Sequence, residues 1–151
     1  MTKAPDTLLF DAEMHFTGSV DYGFSMGRVT AGEALPPQGV RFDVTFEGRL
    51  EGPRLSGTIS GIDYVSLSAE GVTGLYIRGR ITTDDGHNIA LVAEGGAAPR
   101  PGSTVADLSE TLSFSTAAPG YEWLNELRAE GTGVVDSATG RIQLKVSARS
   151  E

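Results

Sequence analysis

The sequence predicts an all-β protein that folds as a single antiparallel β-barrel with little helix. Three segments alternate apolar and polar residues with a period of two: 8–16, 40–47 and 141–148. A helix repeats every 3.6 residues and cannot keep such a stripe on one side, whereas a strand with one buried face does. The 20 glycines are spread through the extended segments. Because glycine within strands permits bulges and strong coiling, we expect the sheet to close.

Eight to ten strands are expected, joined mostly by short turns in a meander. The candidate segments are 7–17, 22–30, 40–50, 54–62, 64–69, 72–83, 87–94, 108–116, 126–136 and 140–149. The sequence Asp84-Asp85-Gly86 predicts a tight hairpin, because Asp-Gly accepts the positive φ angles that a two-residue turn requires. Residues 137–140 predict a similar turn, with Gly140 in the left-handed conformation.

Two longer connections interrupt this pattern. Pro36 and Pro37 stop any strand within residues 31–39, because proline restricts both its own backbone and that of the preceding residue. Residues 95–107 are rich in glycine, proline and alanine and have no periodicity. They predict a loop that passes over one barrel end and could act as a lid.

Length and composition predict one cytoplasmic domain over residues 1–151. The 151 residues are the usual size of a domain with one core. No cysteine is present, which excludes disulfides and thiolate zinc sites and fits a reducing compartment. No secretion signal or bilayer-length apolar run is seen. The net charge of −8, without a basic stripe, argues against nucleic acid or a membrane as partner.

Four short motifs follow one another along most of the chain. They are GPRLSGT at 52–58, Gly61 with Asp63 and Tyr64, RGRITTDDG at 78–86, and YEWLN at 121–125. In this order they resemble the family DUF3237, also called UPF0311. The resemblance implies a small closed or nearly closed barrel with a central cavity and no established general activity. Family members often carry Arg-Thr-Thr-Pro-Arg where this chain has residues 109–113, SETLS. If those arginines bind an anionic ligand in the relatives, this chain lacks the residues for that role.

Asp63 is the first candidate catalytic residue. It follows a glycine-containing strand, from which it can project into a barrel cavity. A carboxylate in an apolar cavity has a raised pKa and can act as a general base or anchor a ligand. The alternative is an aspartate that forms the turn between two strands.

Arg78 and Arg80 share one face of a predicted strand with Tyr76 and Thr82. If this face is outside, the arginines are merely solvated. If it is inside, they need a partner such as Asp63, Glu110 or an anionic ligand, and Arg78 could then stabilise negative charge during catalysis.

Aromatic and amide side chains near the third and fourth motifs are candidate ligand contacts. Tyr121 and Asn125 combine apolar surface with directed hydrogen bonds, and Tyr121 could also move a proton. Trp123, the single tryptophan, either contacts the ligand or plugs one barrel end. Tyr64 and Tyr76 are also predicted to bind ligand.

No metal or cofactor is predicted. Asp84, Asp85 and His87 could suggest a metal cluster, but Asp-Asp-Gly is what a hairpin turn needs, and calcium or zinc sites require more ligands. The chain lacks phosphate-binding, dinucleotide-binding and nucleophile-elbow motifs.

Several functions stay open. One is a cofactor-independent isomerase, cyclase or lyase that acts on a small, partly apolar carbonyl or aromatic compound, with Asp63, Arg78 and Tyr121 as catalytic residues. Another is a noncatalytic binding or carrier barrel. A third is a structural protomer that pairs through exposed strand edges, for example as a homodimer.

Overall fold

Eight antiparallel strands form a closed barrel in the computed structural model, which describes residues 7–149. Each strand pairs with the next in the chain, and the last pairs with the first. This arrangement confirms the predicted all-β meander barrel. The strands are β1 Thr7–Asp21, β2 Val40–Glu51, β3 Gly57–Leu67, β4 Thr73–Thr83, β5 Asn88–Pro99, β6 Val105–Ser115, β7 Ala129–Asp136 and β8 Arg141–Ala148.

The predicted strand at 22–30 is wrong, because a short helix, α1 (Met26–Thr30), occupies this segment. The Ser25 side chain accepts a hydrogen bond of 3.2 Å from the backbone N–H of Arg28, which caps the first turn. The segments 54–62 and 64–69 are also one strand rather than two, since β3 continues through both.

The predicted long loop at 95–107 is wrong as well. β5 continues to Pro99 and β6 begins at Val105, so only a short turn remains between them. The turn is closed by a 2.9 Å hydrogen bond from the Arg100 N–H to the Val105 carbonyl, and Arg100 pairs with Asp107 at 2.7 Å. Pairing with neighbouring strands thus overrides the low strand propensity of glycine, alanine and proline.

Glycine has a specific role at two kinds of position. Gly86 and Gly140 have φ angles of 91° and 74°, which confirms the two predicted turns. Within β5, a Cβ on Gly95 would lie 1.9 Å from the Ser109 carbonyl oxygen. Here glycine allows the adjacent backbones of a tightly coiled barrel to approach each other.

The two barrel ends are covered differently. At one end a 3-10 helix, η1 (Glu122–Glu126), places Leu124 in the core, where it is fully buried together with Leu55. At the other end lie α1 and a smaller apolar cluster of Phe24, Val40, Phe42 and Val44. Neither α1 nor η1 is long and apolar enough to cross a membrane.

Candidate functional site

A cavity of about 200 Å³ lies inside the barrel, toward the end that carries α1. Its walls are almost entirely apolar. Inward-facing side chains of all eight strands and of α1 contribute, including Phe10, Met14, Met26, Val29, Phe42, Phe46, Ile59, Val65, Leu75, Ile77, Leu91, Ala93, Leu108, Leu112, Val135, Ile142 and Leu144. Four described lining residues carry polar side chains: Asp63, Thr73, Glu110 and Ser137.

Asp63 lies on β3, where alternate residues face the barrel interior. Its Oδ1 atom is buried and has no hydrogen-bond partner among residues 7–149. The pKa of Asp63 is raised from 3.8 to about 7, first by burial and second by the charge of Glu110, while the backbone N–H of Tyr76 opposes the rise. The predicted location of Asp63 in the cavity is therefore correct, and its catalytic role stays a prediction.

Glu110 is the second carboxyl of the cavity. It lies on β6, between the buried Leu108 and Leu112, and only 7% of its surface is exposed. Burial raises the pKa of Glu110 from 4.5 to about 7. No side-chain hydrogen bond or ion pair to its carboxyl is present in the described part of the chain.

The two carboxyls form a pair without a cationic partner. A buried carboxylate is stabilised by an opposite charge or by hydrogen-bond donors, and both are scarce here. The pair consequently retains protons near neutral pH, where exposed carboxyls have lost theirs. Such a pair can hold one neutral acid and one charged base at the same time.

The arginines expected beside Asp63 lie elsewhere. Arg78 and Arg80 are exposed on the outer face of β4, so the solvated alternative describes their position. Tyr64 and Tyr76 are also outside, 42% and 38% exposed, with ring centroids 6.5 Å apart. None of the four lines the cavity, because side chains at odd and even positions of a strand point to opposite faces.

The residues of the YEWLN motif lie at the opposite barrel end from α1. Trp123 packs against the core, its Nε1 donates to the Gly120 carbonyl at 3.0 Å, and the Arg54 guanidinium lies 3.8 Å from its ring centroid. Asn125 donates to the Thr116 carbonyl at 2.8 Å and accepts from its N–H at 2.7 Å. This geometry matches the plug alternative for Trp123.

Tyr121 belongs to the same closed end and does not line the cavity. Its hydroxyl donates a 2.7 Å hydrogen bond to Asp85 in the β4–β5 hairpin. That acceptor raises the pKa of Tyr121, which keeps the hydroxyl protonated. Three of the four sequence motifs therefore meet where η1 covers the barrel, and they hold that end together.

The sequence suggested Glu110 only as a partner of an inward-facing arginine and not as a site residue in its own right, although that signal was available. The alternation Leu108, Glu110, Leu112, Phe114 places a carboxyl in a row of inward-facing apolar residues. A charged residue in such a row indicates a buried polar site. Among residues 7–149, no three potential metal-binding side chains of the His, Cys, Asp or Glu type lie together.

One family model is similar to most of this chain. The family model described as "Protein of unknown function (DUF3237)" matches residues 13–148. No curated protein is significantly similar to this chain.

Several crystal structures have a similar fold. A β-barrel-like protein of Acinetobacter baumannii AYE has a TM-score of 0.76 at 20% identity, covering 95% of this chain and 94% of its own. A protein of unknown function from Clostridium acetobutylicum has a TM-score of 0.76 at 18% identity, covering 97% and 100%. A protein of Penicillium herquei described as an enzyme has a TM-score of 0.66 at 20% identity, covering 97% and 96%. At identities of 18–20%, these structural similarities show a shared fold and nothing more.

Proposed function

Because the chain belongs to the DUF3237 family, whose description gives no function, we propose a function for this protein from the residues that line its cavity. The barrel binds a small, mostly apolar molecule, and Asp63 and Glu110 act on it as general acid and base. The observation that carries this proposal is the pair of carboxyls, each with a pKa near 7, in an otherwise apolar cavity.

The shape and lining of the cavity support binding of a small molecule. Ligand sites are concave and mostly apolar, with a few polar groups that fix the orientation of the ligand. Here the hydrophobic walls contact the body of the ligand, while the two carboxyls and the hydroxyls of Thr73 and Ser137 offer the polar contacts. Met26 and Val29 of α1 line the mouth, through which a ligand can enter.

The charge state of the pair supports proton transfer. A general acid or base works best when its pKa lies near the working pH, because it is then present in the required form and still transfers protons readily. At neutral pH one carboxyl can donate a proton while the other accepts one. One proton removal and one proton donation suffice to drive an isomerisation, a ring closure by addition, or an elimination whose leaving group departs protonated. A barrel of similar fold from Penicillium herquei is described as an enzyme, which supports a catalytic use of the cavity.

The positions of the side chains also change the assignment of roles within this proposal. Arg78 and Tyr121 lie outside the cavity, so neither contacts a molecule bound there. Asp63 keeps the role of proton carrier, and Glu110 becomes its partner. The reaction therefore proceeds without an arginine that stabilises negative charge.

A ligand screen tests the proposal. Wild type, Asp63→Asn and Glu110→Gln are exposed to small phenolic, keto and terpenoid compounds, and binding is followed by the thermal midpoint, which a ligand of the folded state raises. Mass spectrometry shows whether a bound compound is converted. Asp11→Asn and Arg78→Ala, both at exposed positions on the outer face, are the matched controls.

The outcomes separate enzyme from carrier. Conversion by wild type and both controls, but not by Asp63→Asn or Glu110→Gln, supports the acid and base roles. Binding without conversion, unchanged in the two cavity variants, identifies a noncatalytic carrier barrel and overturns the catalytic part. If no compound raises the midpoint, the binding proposal itself is wrong.

A further inference from the structure

We propose that the cavity selects a hydrophobic amine, with its ammonium group held by Asp63 and Glu110 and its hydrocarbon part against the apolar wall. This inference rests on the proposed binding function and names the class of molecule that is bound. It follows from the sign of the charges in the cavity and from the hydrogen-bond donors that the cavity lacks.

The cavity has negative groups and no positive ones among its described lining residues. Asp63 and Glu110 are its titratable side chains, and its other polar side chains, Thr73 and Ser137, do not ionise. The nearby arginine of α1, Arg28, is exposed and pairs with Glu33 at 3.1 Å rather than entering the cavity. A cationic group on the ligand is therefore the missing counter-ion.

Like positive charges, hydrogen-bond donors to the two carboxyls are scarce in the cavity. Among residues 7–149, Asp63 Oδ1 is the one side-chain polar atom that is both buried and without a hydrogen-bond partner, while Glu110 is a residue with 7% of its surface exposed. A buried acceptor without a donor is costly, and a bound group that supplies one recovers that cost. An ammonium group presents up to three donors and a positive charge, so it can donate to the unpartnered Asp63 Oδ1 and offset the negative charge of both carboxyls.

Other ligand chemistries fit less well. An alcohol of the same size offers one donor and no charge, so it pairs with one carboxyl at most. A carboxylate or phosphate adds a further negative charge and no donor, which increases the repulsion within a site of low polarity. Hydrogen bonds to charged groups are worth about tenfold in affinity beyond neutral ones. We expect the amine to exceed its isosteric alcohol by that factor.

Three probes of similar size and shape test the inference: phenethylamine, 2-phenylethanol and phenylacetate. Binding to wild type is measured by calorimetry at about pH 8, where both carboxyls are ionised, and at about pH 5.5, where both are mostly protonated. The amine itself stays protonated at both values. Its affinity should rise about tenfold or more with pH, whereas that of the alcohol should not rise.

Variants assign any preference to the cavity. Asp63→Asn and Glu110→Gln should each lower the amine affinity at pH 8 by about tenfold and leave the alcohol affinity within about twofold. The matched controls Asp11→Asn and Glu94→Gln change exposed carboxyls on the outer face and should bind the amine as wild type does. Circular dichroism verifies that each variant is folded.

Two results would overturn the inference in distinguishable ways. If the alcohol binds as tightly as the amine, or if the amine preference persists in both cavity variants, the charge argument is wrong while cavity binding still stands. If none of the three probes binds and the wider compound screen is also negative, the inference and the proposed function fail together.

Discussion

Replacing Asp63 by asparagine removes a partly buried ionisable group, whose Oδ1 atom is fully buried, while keeping the size and shape of the side chain. In the folded protein the pKa of Asp63 is about 7, whereas 3.8 is the ordinary value expected for the unfolded chain. Each pKa unit corresponds to about 1.4 kcal/mol, so the difference amounts to up to about 4 kcal/mol of unfolding free energy. Asparagine does not titrate and makes no such contribution.

The sign of the pH effect follows from which state binds the proton more tightly. Below about pH 4 the carboxyl is protonated in both states, and the wild type has its full stability from this site. Between about pH 4 and pH 7 the unfolded state loses the proton first, so the free energy of unfolding falls as the pH rises. Above pH 7 the loss is complete. The stability of Asp63→Asn relative to wild type should therefore increase across this range.

Urea unfolding, followed by the fluorescence of Trp123, measures this difference at several pH values between about 4 and 8. The variant should gain up to about 4 kcal/mol over wild type between the two ends of the range. Asp11→Asn, at an exposed position on β1, should follow the wild-type curve. If Asp63→Asn also runs parallel to wild type, Asp63 is not a buried carboxyl of raised pKa, and the description of the cavity is wrong.

Three further predictions follow from the same packing. In Glu110→Gln the pKa of Asp63 should fall but stay above 3.8, because the charge of Glu110 no longer raises it while burial still does. The pH dependence of the urea midpoint should then end below pH 7. Gly95→Ala should lower the free energy of unfolding, measured by thermal unfolding, by about 1–3 kcal/mol, because the added Cβ would overlap the backbone of Ser109. Gly96→Ala is the matched control and should cost less, because its Cβ would lie 3.2 Å from the nearest atom, the Thr73 carbonyl oxygen. Leu124→Ala should cost about 2–5 kcal/mol in urea unfolding while ligand affinity, measured by calorimetry, stays the same, because this fully buried residue lies at the closed end.

The fold was predictable from local pattern to a large extent. Period-two alternation in residues 8–16, 40–47 and 141–148 marks β1, β2 and β8, which have one buried face. The errors at 22–30 and 95–107 have a common physical cause. Whether a segment of weak propensity is helix, strand or loop depends on a side-chain cap or on pairing with distant strands, and a local pattern contains neither.

The site was predictable in part. Asp63 was located because it follows a glycine-containing strand, and Glu110 could have been located from the apolar residues on either side of it in β6. The position of Trp123 depends on Arg54, which is 69 residues away in the chain and reaches the tryptophan ring only after the barrel closes. Contacts of this kind are fixed by the tertiary fold, so sequence motifs alone did not distinguish a plug from a ligand contact.

Carboxyl-carbon NMR titration of the wild-type protein tests the central claim most directly. The signals of Asp63 and Glu110, assigned through Asp63→Asn and Glu110→Gln, should titrate with apparent pKa values near 7. The exposed carboxyls provide the internal reference. If both cavity carboxyls titrate near 4, as free side chains do, they are solvated and cannot act as an acid and base at neutral pH.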